Sequence, residues 1–204
     1  MAASSGIATP ITPRRIGTNA AGVAQENRSA EKASQTFLQG TPVQYDVAGA
    51  TGFVIACPTI NSAATANIAG FSVEPASNLT TSGVPKTLNL TQVPPNQPNA
   101  VITPLGVPIN DGTVGFAVAD SATEFVGVLG NSATAANATL AQAQVGAIFG
   151  LTKDAGNSFW YVDQNITTVA GGACVIITAL IDPIGTLNGR VMFRVLDAAR
   201  QVAN

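Results

Sequence analysis

The chain has 204 residues, of which 46% are hydrophobic, 5% aromatic and 10% charged, with a formal net charge of −2 and no histidine. Ordinary globular domains carry about 25% charged residues. This composition excludes catalytic sites built on histidine, such as Ser–His–Asp and Cys–His arrangements, and leaves few groups for acid–base chemistry. We therefore predict a structural or binding protein and not an enzyme.

Residues 1–36 are predicted to form an extended arm. Small polar residues dominate this segment, prolines stand at Pro10 and Pro13, and the apolar residues follow neither a strand nor a helix period. Such a segment cannot offset its own ordering entropy, so we expect it to become ordered only along a partner. Its candidate partner contacts are four cations: Arg14, Arg15, Arg28 and Lys32.

Charge is distributed unevenly along the chain. Residues 1–36 carry four cations and two acids, a net charge of +2, whereas residues 37–189 carry two cations and eight acids, a net charge of −6. Residues 190–204 carry three cations and one acid, again +2. Basic ends on an acidic middle predict docking of the ends on an acidic surface, and simple solvated charge is the alternative. The cations are too few for nucleic-acid binding, which depends on many phosphate contacts.

From residue 37 onwards, short β-branched and aromatic runs alternate with Gly, Pro, Asn and Asp, as is typical of strands and turns. A first β segment, residues 37–92, contains four predicted strands, at 41–47, 52–57, 66–73 and 86–91. Three prolines within residues 93–99 predict a stiff linker or loop, because proline removes a donor from a strand ladder.

Residues 100–204 form a second β segment, either a domain of its own or one domain with the first. Its predicted strands lie at 100–109, 113–119, 124–129, 145–152, 159–163, 173–181 and 189–196. Asn110-Asp111-Gly112 is a strong hairpin signal, and residues 153–157 predict another tight hairpin loop. Residues 133–144 fit a helix through their alanines or a loop through their Thr and Asn. The pattern predicts an all-β fold, a barrel or sandwich of short antiparallel strands.

Cys57 and Cys174 lie in separate strand-like runs and fit either a disulfide or two buried free thiols. Without histidine, two cysteines form no tetrahedral zinc site unless carboxylates complete it. Asp154 and Asp163 are interpreted as a turn residue and a strand-end residue rather than as a catalytic pair. No glycine-rich phosphate loop occurs. We therefore expect no catalytic residues, no metal and no cofactor.

The sequence contains no run of 18 or more apolar residues, so no transmembrane helix is predicted. The first 18 residues lack the charged and apolar regions of a secretion signal. We therefore expect no membrane association and production in a cytoplasm.

Two predicted strands carry candidate interface residues. In the strand 159–163 both faces are apolar, so it is expected to be buried on both sides, and Trp160 is a candidate anchor for a glycan, a subunit contact or the core. In the strand 189–196, Arg190 and Arg194 share one face while the other face is core. These two cations are expected to pair with acidic groups on a neighbour or to be solvated.

A resemblance to a known family rests on five runs. They are FLQGTPVQY (37–45), IAGFSVEPA (68–76), GAIFGLTKD (146–154), FWYVD (159–163) and DPIGTLNGRVMFRVL (182–196). These runs resemble capsid decoration (cement) proteins of tailed bacteriophages. The resemblance implies a β-rich protein without enzymatic activity on the outer capsid surface, where such proteins often form trimers and bridge major capsid subunits.

We therefore predict a structural virion protein that staples neighbouring major capsid subunits and is made in the host cytoplasm. Its expected partners are the major capsid protein and other copies of itself, as a homotrimer, with no nucleic acid and no membrane. A head fibre, tail or adhesin component that recognises a host surface is the alternative function. An enzyme such as a β-helical or jelly-roll lyase is a third and would require a substrate cleft.

Overall fold

A computed structural model of the chain describes residues 9–15, 26–32, 35–47, 52–58, 67–76, 101–102, 108–110, 113–134 and 137–201, with the backbone alone at 14–15, 101–102 and 108–110. Within these ranges the strands are β1 (Thr12–Arg15), β2 (Glu26–Ala30), β3 (Pro42–Tyr45), β4 (Val54–Ala56), β5 (Gly70–Ser72), β6 (Val101–Ile102), β7 (Pro108–Asn110), β8 (Thr113–Val118), β9 (Thr123–Gly130), β10 (Ile148–Lys153), β11 (Trp160–Asp163), β12 (Val175–Leu180) and β13 (Arg190–Val195). Short 3₁₀ turns lie at Ser132–Thr134, Gln142–Gln144, Val169–Gly171 and Asp197–Ala199. The predicted all-β class is confirmed.

Five strands close a barrel. Antiparallel pairings join β9 to β13, β13 to β12, β12 to β10 and β10 to β11, and β11 returns to β9 in parallel. The barrel interior is filled by alternating side chains of these strands, which include Phe125, Leu129, Leu151, Ile177 and Phe193. Closure pairs the strand edges with one another, so the barrel presents few unpaired backbone groups.

A second sheet has the order β2-β8-β5-β3-β4, with all neighbours antiparallel. One face of this sheet places Phe71 in the same core cluster as the barrel interior. The other face forms a separate cluster with Val43 and Phe116. The sheet takes strands from the predicted arm and from both β segments, so residues 93–99, which lie outside the described residues, do not mark a boundary between sheets.

The described parts of residues 1–36 pair within the chain. β1 adds to β9, with Thr12 opposite Val126, and β2 adds to β8, with Glu26 opposite Ala117. Ile11 is 1% exposed and belongs to the barrel core. This differs from the expectation that the arm becomes ordered only along a partner. Ladder hydrogen bonds and one buried apolar side chain order these stretches on their own sheets.

Of the two predicted hairpins, one is present in the structure and the other is not. The hairpin loop at 153–157 joins β10 and β11 as an antiparallel pair, as predicted. The hairpin expected around residues 110–112 does not pair β7 with β8, because β8 uses its two edges for β2 and β5, while β7 pairs with β6. Residues 111–112 and the predicted strand 86–91 lie outside the described residues. Residues 133–144 contain 3₁₀ turns in their described part.

Candidate functional site

The loop between β12 and β13, residues 181–189, is held closed at its base by an ion pair. The Asp182 carboxylate accepts hydrogen bonds from the Arg190 backbone N at 2.7 Å, from its Nη2 at 2.7 Å and from its Nε at 3.1 Å. Such a fork of guanidinium donors on one carboxylate fixes orientation as well as distance. The hydrogen bonds from the Arg190 side chain, followed by the one from its backbone, hold the pKa of Asp182 below its usual value.

Residues 138–140, which lie beside the same loop, form hydrogen bonds with it. Leu140 donates its backbone N–H to Thr186 O at 3.0 Å and accepts at its own O from Gly185 N at 2.9 Å. Ala138 receives the Asn188 N–H at its O, 2.6 Å away, and donates its own N–H to Asn188 Oδ1 at 2.9 Å. Three loop positions, 185, 186 and 188, are therefore hydrogen-bonded to Ala138 and Leu140.

The residue types in this loop suit its backbone conformation. Gly185 has φ 89° and Asn188 has φ 49°, both in the left-handed region that glycine and asparagine tolerate best. Gly189 lies against the buried Leu140 side chain, and a Cβ at Gly189 would come within 2.7 Å of Leu140 Cγ. A larger residue at 189 would push the loop off its support.

Two aliphatic side chains project from this braced loop. Ile184 is 63% exposed and Leu187 is 60% exposed. Exposed single apolar residues are common on proteins, but these two share one short loop whose backbone is already fixed. A fixed loop loses little conformational entropy when it binds, so the pair is suited to contact with an apolar surface. We call residues 181–189, which include the exposed Ile184 and Leu187, the contact loop.

A cavity of about 550 Å³ lies at one end of the barrel, near the 3₁₀ turn Asp197–Ala199. Its charged lining is already used inside the chain. Arg200 pairs with Asp197, and Asp120 accepts a hydrogen bond from Ala122 N at 2.8 Å. Arg194 Nε lies 4.0 Å from Glu124 Oε1 on the adjacent strand. Arg200, Asp120 and Arg194 therefore each have a partner within the chain.

The four predicted arm cations have different positions. Arg14 and Arg15 lie in β1, but their side chains are outside what the structure describes, so their proposed contacts remain a prediction. Arg28 Nη1 donates to Glu74 Oε1 at 2.9 Å, and Lys32 Nζ donates to Asp46 Oδ2 at 2.8 Å. These two cations are half-exposed and already neutralised by acids of the same chain, which weakens their attraction to an external acidic surface.

Trp160 lies in the barrel core and is only 4% exposed. The prediction of this residue as an interface anchor or glycan platform is therefore corrected, because the side chain offers no surface to a partner. The alternation in β11 is as predicted, since Tyr161 faces the other way and packs with Val128 and Phe159. Burial, followed by the negative charge of Asp163, raises the pKa of Tyr161 to about 12.

Arg190 and Arg194 are exposed on one face of β13, while Val191, Phe193 and Val195 on the other face are buried, as predicted. Both arginines face an acid of this chain. The pairing of Asp182 with Arg190 was not predicted from the sequence. The turn Asp182-Pro183-Ile184-Gly185 between two predicted strands was the signal for it, because such a turn brings the two strand ends together.

The remaining polar candidates have structural roles. Asp154 Oδ1 accepts hydrogen bonds from Gly156 N and Asn157 N, both at 2.9 Å, which confirms the interpretation of Asp154 as a turn residue. Asp163 closes the end of β11 in the same way, by accepting from Asn165 N at 3.0 Å.

Cys57 and Cys174 are free and buried. Among the described residues, no cluster of three or more His, Cys, Asp or Glu side chains is suited to hold a metal ion. In the same residues, no helix has both the length and the apolar character that crossing a membrane requires.

Comparison of the chain with protein-family models, with curated proteins and with solved structures found no match in any of the three searches. The assignment of function therefore depends on the chain's own residues and geometry.

Proposed function

We propose that this protein is a structural virion component that binds the outside of a tailed-phage capsid and staples neighbouring major capsid subunits without catalysis. One observation carries the proposal. The run 182–196, which bears much of the resemblance to capsid decoration proteins, folds into the contact loop and the strand behind it. That loop presents Ile184 and Leu187 on a fixed backbone.

The use of the charged groups supports binding rather than chemistry. Asp154 and Asp163 cap loops, and Asp182 is bound to Arg190. A catalytic acid or base needs a polar atom directed at a substrate, whereas these carboxylates direct their oxygens at the chain's own donors. Their arrangement stabilises loop shapes, which a protein that works through surface contact requires.

The contact loop of each copy is expected to contribute only a small binding free energy. Full burial of an aliphatic side chain contributes about 1.5–3 kcal/mol, and part of this offsets the loss of rigid-body freedom on binding. Ile184 and Leu187 alone would therefore give weak attachment. A capsid lattice offers many equivalent sites, and a symmetric oligomer with several contact loops gains avidity from them. The argument supports a symmetric oligomer of several copies, and we propose a homotrimer on the major capsid protein.

Co-sedimentation with purified capsids of the encoding phage tests the proposal. The double variant Ile184→Ser/Leu187→Ser should lose about tenfold or more in capsid affinity and keep the thermal midpoint of the unmodified protein. Val169→Ser is the matched control, because Val169 is also an exposed aliphatic residue, at 44%, on a different loop. Capsid binding by the double variant that equals that of the Val169→Ser control would overturn the role of the contact loop. No binding by the unmodified protein would overturn the capsid function itself.

A further inference from the structure

β1 is an addition to a barrel that closes without it. One edge of β9 pairs with β13. The other edge is shared, since β11 pairs with Leu129 and Gly130, and β1 pairs with residues 123–126. Removing β1 from this edge would leave the ring of five strands intact. β1 therefore binds to the edge of a barrel whose ring of strands is complete without it, although it belongs to the same chain.

A single side chain anchors β1. Ile11, directly before the strand, is buried in the barrel core at 1% exposure, while its neighbours Pro10 and Thr12 are partly or fully exposed. Two glycines make room for it. A Cβ at Gly127 would lie 3.3 Å from Ile11 Cγ1, and a Cβ at Gly40 would lie 2.8 Å from Ile11 O. Gly127 thus leaves space for the Ile11 side chain and for the edge of the Phe193 ring, and Gly40 leaves space for the Ile11 backbone; we call this space the slot.

The packing beside the anchor is incomplete. A cavity of about 210 Å³ is lined by Thr9, Pro10, Thr12, the segment 126–128 and Arg190. Attachment of β1 therefore depends on Ile11 and on a four-residue ladder. Burial of one isoleucine contributes about 1.5–3 kcal/mol, which allows the strand to leave and return on a short timescale compared with global unfolding.

The chain is long enough for β1 to reach another copy. Ten residues, 16–25, connect β1 to β2, and an extended chain of this length spans up to about 35 Å. That distance exceeds the diameter of a small domain, about 30 Å. β2 can therefore stay on its own sheet while β1 lies on a neighbouring barrel.

Charge also favours a second copy as the occupant. Residues 1–25, the segment before β2, carry Arg14 and Arg15 and no acid, a net charge of +2, whereas residues 37–189 carry a net charge of −6, so this segment of one molecule is attracted to the body of another. The strand register also pairs residues of opposite charge at one position, because Arg14 stands opposite Glu124 in the β1–β9 ladder.

We propose that β1 exchanges between copies, so that the strand and its Ile11 anchor occupy the β9 edge and the slot of a second molecule of this chain. The contacts are the same within one chain and between two, so their relative population follows from effective concentration. This inference goes beyond capsid binding, and its test uses no capsid. A high local concentration of copies on a surface shifts the equilibrium from the internal to the exchanged arrangement of β1.

Cysteine pairs across the ladder distinguish the two arrangements. Thr12 and Val126 are register partners, and such partners in antiparallel strands lie about 4.5–5.5 Å apart at Cα, within the range of a disulfide. One sample contains a Thr12→Cys chain and a Val126→Cys chain of different mass, refolded together at high concentration and mildly oxidised. A second sample contains the double variant Thr12→Cys/Val126→Cys.

Exchange predicts a disulfide-linked heterodimer of the two single variants on a non-reducing gel, with a yield that rises with protein concentration. Adding Ile11→Ala to the Thr12→Cys chain should lower this yield at least fivefold. Thr9→Ala, an exposed arm position, should leave it unchanged. Internal closure of the double variant without any heterodimer in the mixture would show that β1 stays on its own barrel and would overturn the proposal. Failure of both samples to cross-link would overturn it as well, because β1 would then not lie on β9.

Discussion

Phe71 of the second sheet and Phe125 of the barrel lie with their ring centroids 4.4 Å apart, and the ring of Phe193 is 5.8 Å from that of Phe71. All three side chains are fully buried. Aromatic pairs at such separations add about 0.5–1.5 kcal/mol to the gain from burial. The three rings join β5 to β9 and β13, so the sheet and the barrel share one hydrophobic core.

Replacing Phe71 by alanine should therefore weaken the whole molecule. We expect the free energy of unfolding to fall by about 3–5 kcal/mol, the usual cost of deleting a buried ring. Urea denaturation followed through the fluorescence of the buried Trp160 measures the change. The control Val47→Ala alters a side chain that is 71% exposed and should change the free energy by no more than about 0.5 kcal/mol. Equal stability of the two variants would contradict a shared core.

The barrel strands are largely predictable from local pattern. The expected strand 189–196 appears as Arg190–Val195, and 173–181 appears as Val175–Leu180. β-branched runs bounded by turn residues indicate where a strand lies. They do not indicate its partners, because ladder hydrogen bonds come from the backbone, whose donor and acceptor are the same for every residue type except proline. The sequence pattern therefore did not predict that β11 closes the barrel by pairing in parallel with β9.

The arm illustrates the same limit. The residues of β2, ENRSA, have exposed or partly exposed side chains, so hydrophobic pattern gives no strand signal, yet β2 forms a five-residue ladder with β8. On β13, the alternation of the sequence predicts the exposure of Arg190 and Arg194. It does not predict the exposure of Ile184 and Leu187 in the contact loop, because apolar residues in a turn are equally compatible with burial under a neighbouring loop.

Asp163 should be essential to the loops at the end of β11. Its carboxylate is completely buried and accepts hydrogen bonds from Ser132 N at 3.0 Å, Thr152 Oγ1 at 2.7 Å and Asn165 N at 3.0 Å. Asp163→Ala leaves these donors unpaired and should cost roughly 3 kcal/mol of unfolding free energy, since an unsatisfied buried group costs about 1–3 kcal/mol.

Asp163→Asn is the matched variant, because it keeps one oxygen where the two backbone N–H groups converge on Oδ1. It should lose less than half as much stability as the alanine variant in the same denaturation experiment. An asparagine variant as unstable as the alanine variant would show that the charge, and not the hydrogen bonds, matters most.

The Asp182–Arg190 pair should make the contact loop resistant to acid. The folded-state pKa of Asp182 lies below its usual value, so the stabilisation is present above the unfolded pKa and is lost only as the pH falls through the lower folded value. Carbon-13 NMR titration of the Asp182 carboxyl group should give a midpoint below that of an ordinary aspartate. In Arg190→Met the midpoint should rise but stay below the ordinary value, because the backbone N–H of residue 190 still donates to Asp182. In Arg190→Lys, which keeps the charge without the fork, the midpoint should lie between those of the unmodified protein and Arg190→Met. An unchanged midpoint in Arg190→Met would show that another group lowers the pKa.

The two thiols should be unreactive while the protein is folded. Burial raises the pKa of Cys174 to about 12, and burial followed by the proximity of Cys174 raises the pKa of Cys57. Because the thiolate is the reactive form, only a minute fraction of either thiol can react at pH 8. Titration with Ellman's reagent should detect no thiol in the native protein and two in guanidinium chloride. Thr12→Cys, at an exposed position, is the control and should add one rapidly reacting thiol. Rapid reaction of two thiols in the native, unmodified protein would show that Cys57 and Cys174 are accessible and that the core between the sheet and the barrel opens readily.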